Sequence, residues 1–241
     1  VRKQPEQQAP PVQRLRVRYA KRGRLRFTSH RDFSRAFERA IFRAGLPMAY
    51  SSGFNPHPRI SYAGAAPTGS ASEAEYLEIG LAKVLDPADV HVTLDESLPT
   101  GLDVLEVVES PGGSLSDLLE ASRWEITLQG AGDLSALVET FLATETVEVQ
   151  RMTKKGLRVF DARAAVLGME VRVDGDTTVL DVVLEHVVPA VRPDDVLSAL
   201  AAVGVYPIDV VPLLTRVQQG PLDRENALVR DPLSDPLSGQ S

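Results

Sequence analysis

The run Arg14-Leu15-Arg16-Val17-Arg18-Tyr19, the turn Lys21-Arg22-Gly23, and the run Ser29-His30-Arg31-Asp32-Phe33-Ser34-Arg35-Ala36-Phe37-Glu38-Arg39-Ala40-Ile41 pass from a hydrophobic period of two to one near 3.6. In the first run Leu15, Val17 and Tyr19 alternate with Arg14, Arg16 and Arg18, which predicts a strand with one apolar and one cationic face. Leu25 and Phe27 alternate with Arg24 and Arg26, so the pattern continues as a second short strand. Ser29 stands as a helix N-cap with Asp32 three positions on, an approximate capping box. The helix is expected from about His30 to Ala44, with Phe33, Ala36, Phe37, Ala40, Ile41 and Ala44 on one stripe and Gly45 and Pro47 as its stop. Arg31, Arg35, Arg39 and Arg43 recur every four residues on the other side, and Phe42 projects among them.

Downstream, strands are expected near residues 59–63, 76–81 and 102–108, with a helix near 87–96. Residues 109–121 contain Pro111-Gly112-Gly113-Ser114 and read as a linker. A second series follows: strand 123–128, helix 134–143, strands 147–152, 165–173 and 178–184, helix 193–203 and strand 207–213. Both halves read as β-α-β-β-α-β, so the expected fold class is α+β with two tandem ferredoxin-like units. The expected division is a disordered arm at 1–13, a basic unit at 14–110, an acidic unit at 122–215 and a disordered tail at 216–241. Gln and Pro crowd the arm, and Pro, Asp, Ser and Gly the tail, leaving too little apolar surface to offset the entropy of ordering.

Charge is divided unevenly along the 241 residues. Residues 1–62 carry 14 Lys/Arg against 3 Asp/Glu, whereas the remainder carries 12 against 30. Poorly neutralised cations repel one another, a cost that a merely solvating surface avoids by mixing signs, so the early segment is expected to meet an anion. Tyr19, Phe27 and Phe42 offer stacking faces near the arginines, a combination suited to single strands, so the expected anion is RNA, structured or single-stranded; the alternative for each ring, Phe27 above all, is a place in the core. There is no cysteine, which excludes disulfides, thiolate zinc sites, thiol nucleophiles and cysteine-held iron–sulfur clusters. No apolar run reaches the length of a membrane helix and the start is polar, so no membrane partner and a cytoplasmic location are expected.

The string Ser51-Ser52-Gly53-Phe54-Asn55-Pro56-His57-Pro58-Arg59 reads as a preorganised recognition loop, with Asn55, His57 and Arg59 at alternate positions. The alternative is a tight connector whose Phe54 fills the core. A second basic cluster, Arg151, Lys154, Lys155, Arg158 and Arg163, surrounds a turn at Gly156 and would extend an anion-binding groove. His30, in the first helical turn beside Ser29, is the one candidate for acid/base chemistry, although capping accounts for the serine. No phosphate loop, dinucleotide fingerprint, nucleophile elbow or paired catalytic carboxylates occur, so catalysis by the chain alone is not indicated. No cofactor or metal is expected, since no second ligand stands at ligating spacing from His57.

The string from Phe27 to Ala40, followed by Ala44-Gly45-Leu46-Pro47 and Tyr50-Ser51-Ser52-Gly53-Phe54-Asn55-Pro56-His57-Pro58, resembles the radical-SAM-linked proteins of unknown function. These occur alone or as the C-terminal domain of B12-binding radical SAM proteins. Pro67-Thr68-Gly69-Ser70, Glu75-Tyr76-Leu77-Glu78 and Lys155-Gly156-Leu157-Arg158 with Asp161-Ala162-Arg163 also resemble that family, over roughly residues 14–215. The resemblance implies association with a radical SAM enzyme and with RNA or ribosome-related metabolism; lacking cysteine, the chain cannot hold the radical SAM cluster itself. More distantly, Ser29-His30 opening a helix after a basic strand is similar to CRISPR repeat-processing endoribonucleases, which supports fold and RNA binding more than cleavage.

The function expected is therefore an RNA-binding accessory protein. Arg16, Arg18, Arg24, Arg26, Arg31, Arg35 and Arg39 would hold phosphates, Asn55, His57 and Arg59 would add geometry, and Lys154, Lys155 and Arg158 would extend the surface. The alternatives are a metal-independent endoribonuclease with His30 as general acid/base, or an adaptor docking a radical SAM enzyme or ribonuclease.

Overall fold

The computed structural model describes residues 7–154, 156–207 and 209–234, an α+β fold of two units, the first ending at Asp117 and rejoined by the chain from Leu233, the second spanning Leu118–Pro232. In the first, β1 (Gln13–Lys21) is followed by α1 (His30–Arg43), β2 (Ile60–Ala63), β3 (Ala71–Leu81), α2 (Pro87–Ser97) and β4 (Val104–Glu109). The strands pair antiparallel in the order β4-β1-β3-β2, the connectivity expected of two interleaved βαβ crossovers. Leu15, Val17 and Tyr19 of β1, all but fully buried, meet Leu77, Ile79 and Leu81 of β3, and Phe33, Phe37 and Ile41 of α1 close over them. Of the two readings of Tyr19, stacking face and core residue, the structure shows the core, with its ring stacked on Phe33 at 4.5 Å.

α1 begins and ends where the sequence places its caps. The Asp32 amide donates to Ser29 Oγ at 3.2 Å, and the Ser29 hydroxyl donates to the Asp32 carboxylate at 2.7 Å. At the other end Gly45 takes φ +63°, and the Leu46 and Gly45 amides return to the carbonyls of Ile41 and Phe42. That Schellman pattern needs a left-handed residue, which glycine adopts without steric cost.

The second unit contains β5 (Ala121–Gln129), α3 (Ser135–Ala143), β6 (Glu148–Thr153), β7 (Gly156–Asp161), β8 (Val166–Asp174), β9 (Thr177–Glu185), α4 (Pro193–Val203), β10 (Leu213–Gly220), β11 (Leu222–Asp223) and β12 (Leu228–Val229). Its sheet runs β10-β5-β9-β8, again antiparallel, while β6 and β7 form a hairpin of their own. The expected β-α-β-β-α-β order is thus met by β5, α3, β8, β9, α4 and β10, with β6 and β7 inserted after α3.

Four expectations need correction. Residues 24–27 are not a strand: a 3-10 turn spans Gly23–Phe27, because the Leu25 and Thr28 amides bond back to Arg22 and Leu25. The described part of the arm is docked: the Val12 amide bonds to the Leu81 carbonyl, Pro11 lies against Gly80, and buried Gln13 exchanges two bonds with the Leu85 backbone. The last strand lies at 213–220 rather than 207–213. The tail from 216 is ordered through that strand and the β11–β12 pair, which the Arg230–Asp223 ion pair ties together. Residues 1–6 and 235–241 lie outside the described residues.

Candidate nucleic-acid interface

The fold sorts the cations of the first unit into two groups. On β1, Arg16 faces Glu78 of β3 across the register and is 2% exposed, its guanidinium 3.5 Å from the Glu78 carboxylate and 2.7 Å from the Gly112 carbonyl. Arg14 and the Ser110 hydroxyl reach the same carboxylate at 3.0 and 2.7 Å. Arg18 pairs with Glu106 at 3.9 Å, and Arg22 is held by Glu73 and Asp103, which raise its pKa, Glu73 foremost. The expected cationic face of β1 is therefore neutralised, and Arg16 is corrected from a phosphate ligand to a buried structural residue. Over residues 14–110 there are 13 Lys/Arg against 12 Asp/Glu. The unit expected to be basic is close to neutral, and its basicity is local.

The second group is Arg24, Arg31, Arg35 and Arg39, which are exposed and have no ion-pair partner among the described residues. At 100° per residue Arg31, Arg35, Arg39 and Phe42 fall within about 80° of one another around α1, opposite the buried stripe. Arg35, Arg39 and Arg43 with Glu38 and Phe42 line an open depression of about 480 Å³. Arg43 is anchored through the Ser97 carbonyl. Arg26 lies over the Phe27 ring at 4.7 Å, with its buried Nε lacking a hydrogen-bond acceptor.

The loop after Tyr50 is closed by its own backbone. The Ser51 amide donates to the His57 carbonyl at 2.8 Å, the His57 amide to Ser51 Oγ at 3.0 Å, and Arg59 Nε to the Tyr50 carbonyl at 3.1 Å. Gly53, at φ +138°, makes the bend. Asn55 and His57 are exposed, whereas Arg59 is partly occupied in holding the loop. Phe54 does not fill the core: it is 71% exposed.

Of the second basic cluster, Arg151 bonds Asp195 and the Ala190 carbonyl, and Arg163 bonds the carbonyls of Leu142 and Val166. Lys154 and Arg158 remain exposed near the β6–β7 tip, beside exposed Met152 and Leu157. Lys155 lies outside the described residues.

His30 is exposed and packs edge-on against Tyr62 at 5.1 Å. Burial pushes the Tyr62 phenol up to about 12. His30, Lys21, Thr28 and Glu75 line a notch of about 20 Å³, room for one water. Lys21 and Glu75 are 5% and 2% exposed, and Glu75 accepts from the Ala66 amide. Neither is singled out by the sequence reading, although the signal is there: period two places Lys21 on the face of Leu15, Val17 and Tyr19, and Glu75 on that of Leu77 and Ile79. Among the described residues no three His, Asp or Glu side chains converge on a metal-sized site, and no helix is long and apolar enough to cross a membrane.

No protein with a curated description matches the chain. Among solved structures, it is similar to a chain of a Cbf5-Nop10-Gar1 complex at 12% identity and TM-score 0.46, covering 89% of this chain and about half, 55%, of that one. It is also similar to an unknown protein from Galdieria sulphuraria at 14% identity and TM-score 0.24, covering 85% of this chain and 98% of that one. A family match spans residues 14–193, from β1 into the first turn of α4 and so across both units. The chain therefore belongs to the family described as uncharacterized protein conserved in bacteria, DUF2344.

Proposed function

We propose that the protein is an RNA-binding accessory protein that works beside a radical SAM enzyme or in RNA or ribosome metabolism, holding RNA on the solvent face of α1. The observation that carries this is the sorting of charge: the first unit neutralises the β1 arginines with specific carboxylates and leaves Arg24, Arg31, Arg35 and Arg39 without one among the described residues. Arginines kept together without ion-pair partners repel one another, and phosphates relieve that repulsion while releasing condensed counterions. Asn55 and His57 supply donors and acceptors on a closed loop, and the exposed cations Lys154 and Arg158 of the second unit would add a separate contact for phosphates.

The test is recovery of crosslinked RNA from the native host with the natural chain and with an Arg31→Glu/Arg35→Glu variant. A defined RNA recovered with the first and lost with the second is the expected result. Failure to recover RNA, with a protein partner that survives nuclease treatment, turns the same face into a docking surface for an acidic protein.

A second reading follows from the buried Lys21 and Glu75 that share a notch with exposed His30: RNA cleavage with His30 as general acid/base. A His30→Ala variant that binds RNA but no longer cleaves it is the expected result there; unchanged cleavage removes His30 from the chemistry.

A further inference from the structure

The seven phenylalanines are divided as sharply as the cations. Phe33, Phe37, Phe141 and Phe160 are at most 8% exposed, whereas Phe27, Phe42 and Phe54 are 59%, 85% and 71% exposed. All three exposed rings lie in the first unit, with the unpaired arginines, and Trp124 of the second unit is buried. Phe27 sits two residues before the N-cap of α1 and carries Arg26 on its face. Phe42 is in the last turn of the same helix, inside the depression lined by Arg35 and Arg39. The rings therefore bracket the Arg31, Arg35 and Arg39 stripe, with about 16 Å of helix axis between Arg31 and Phe42 at 1.5 Å per residue. Phe54 is held outward by a loop whose bonds between Ser51 and His57 fix its base.

Exposed phenyl rings gain little on a duplex, whose base faces are already stacked and whose grooves present edges and backbone. A single strand, by contrast, has free base faces, and a phenyl ring accepts any base because every base has a π-face. We propose that the RNA bound on α1 is single-stranded, with bases stacked on Phe27 and Phe42 while Arg31, Arg35 and Arg39 hold its phosphates. This rests on the RNA-binding reading and names its substrate class. Stacking of this kind is sequence-tolerant, so the strand is chosen by being unpaired rather than by its bases.

The test compares binding of an oligouridylate and of a blunt RNA duplex of equal length to the full chain and its variants. Phe42→Ala and Phe27→Ala are each expected to weaken the oligouridylate by roughly five- to a hundredfold and to leave duplex binding unchanged. Phe42→Trp adds a direct signal: the emission of the introduced indole is expected to be quenched by the oligouridylate, against the background of buried Trp124. If the alanine variants bind the oligouridylate like the natural chain and the emission of the Phe42→Trp variant does not change, while Arg31→Glu/Arg35→Glu abolishes binding, the rings are bystanders. The single-strand inference is then overturned and the RNA reading survives. Preference for the duplex overturns it equally, and binding of neither probe overturns both.

Discussion

Arg16 shows how far one residue's role depends on a partner distant in sequence. Its alternation with Leu15 and Val17 places it opposite the core, yet Glu78, sixty-two residues on, sits across the strand register and takes its charge. Removing one member of a buried pair strands the other, so Arg16→Ala is expected to cost about 3 kcal/mol in urea unfolding, against well under ~1 kcal/mol for the exposed Arg35→Ala. Equal costs would place Arg16 on the surface after all. His186 is a second buried polar group: its ring contacts the Leu119 carbonyl at 2.7 Å and Ser122 Oγ at 3.1 Å, and burial first, with Arg216 adding to it, lowers its pKa below 6.5. Where the folded pKa is depressed the unfolded chain takes the proton first. The neutral ring's contribution is therefore complete above pH 6.5 and is lost as pH falls below it toward the folded value. Thermal midpoints measured from about pH 7.5 to about pH 5.5 should fall for the natural chain and fall less for His186→Gln; parallel curves would remove His186 from the acid response.

Among the elements, α1 is legible almost to the residue because every signal is local: the Ser29 cap, the 3.6-residue apolar stripe, the glycine stop. Ser29→Ala, which leaves the Asp32 amide without its acceptor, should cost about 1 kcal/mol by thermal or urea unfolding. No loss would mean that another group caps the helix. β10 is displaced from its expected place because residues 207–213 are apolar enough to read as a strand while the real strand carries Arg216 and Gln219. Both are buried, bonded to each other at 2.7 Å, and look like surface residues in the sequence. The β6–β7 hairpin is half legible: its first strand has the right period, but membership of the central sheet is decided by long-range pairing that no local pattern encodes. The 3-10 turn at Gly23–Phe27 imitates a strand because its side chains alternate in type while its backbone is bonded locally. For the candidate site, the exposed stripe of α1 and the outward loop at Asn55 and His57 can be read from periodicity and from Gly and Pro. The quenching of the β1 arginines cannot.

For the whole molecule, the charge split along the chain does not become a basic unit beside an acidic one: the first unit is close to neutral, and residues 118–232 carry 11 Lys/Arg against 18 Asp/Glu. The excess of residues 1–62 folds against carboxylates such as Glu73, Glu78, Asp103 and Glu106, so what remains for a polyanion is a patch. Four unpaired arginines meeting a single strand should give a slope of about −3 in log K against log salt, by the counterions each phosphate contact releases. Titrations between about 50 and 200 mM salt measure it, and a slope near zero would contradict phosphate contact altogether. Glu78, where Arg14, Arg16 and Ser110 converge, then has a consequence for selectivity. On the proposed RNA-binding reading it is an electrostatic mask: by silencing the strand face of β1 it would leave α1 as the attractive surface, so that a polyanion would dock in one orientation instead of two. Glu78→Gln lifts the mask, and its expected signature is added low-specificity binding in which Arg31→Glu/Arg35→Glu no longer abolishes association.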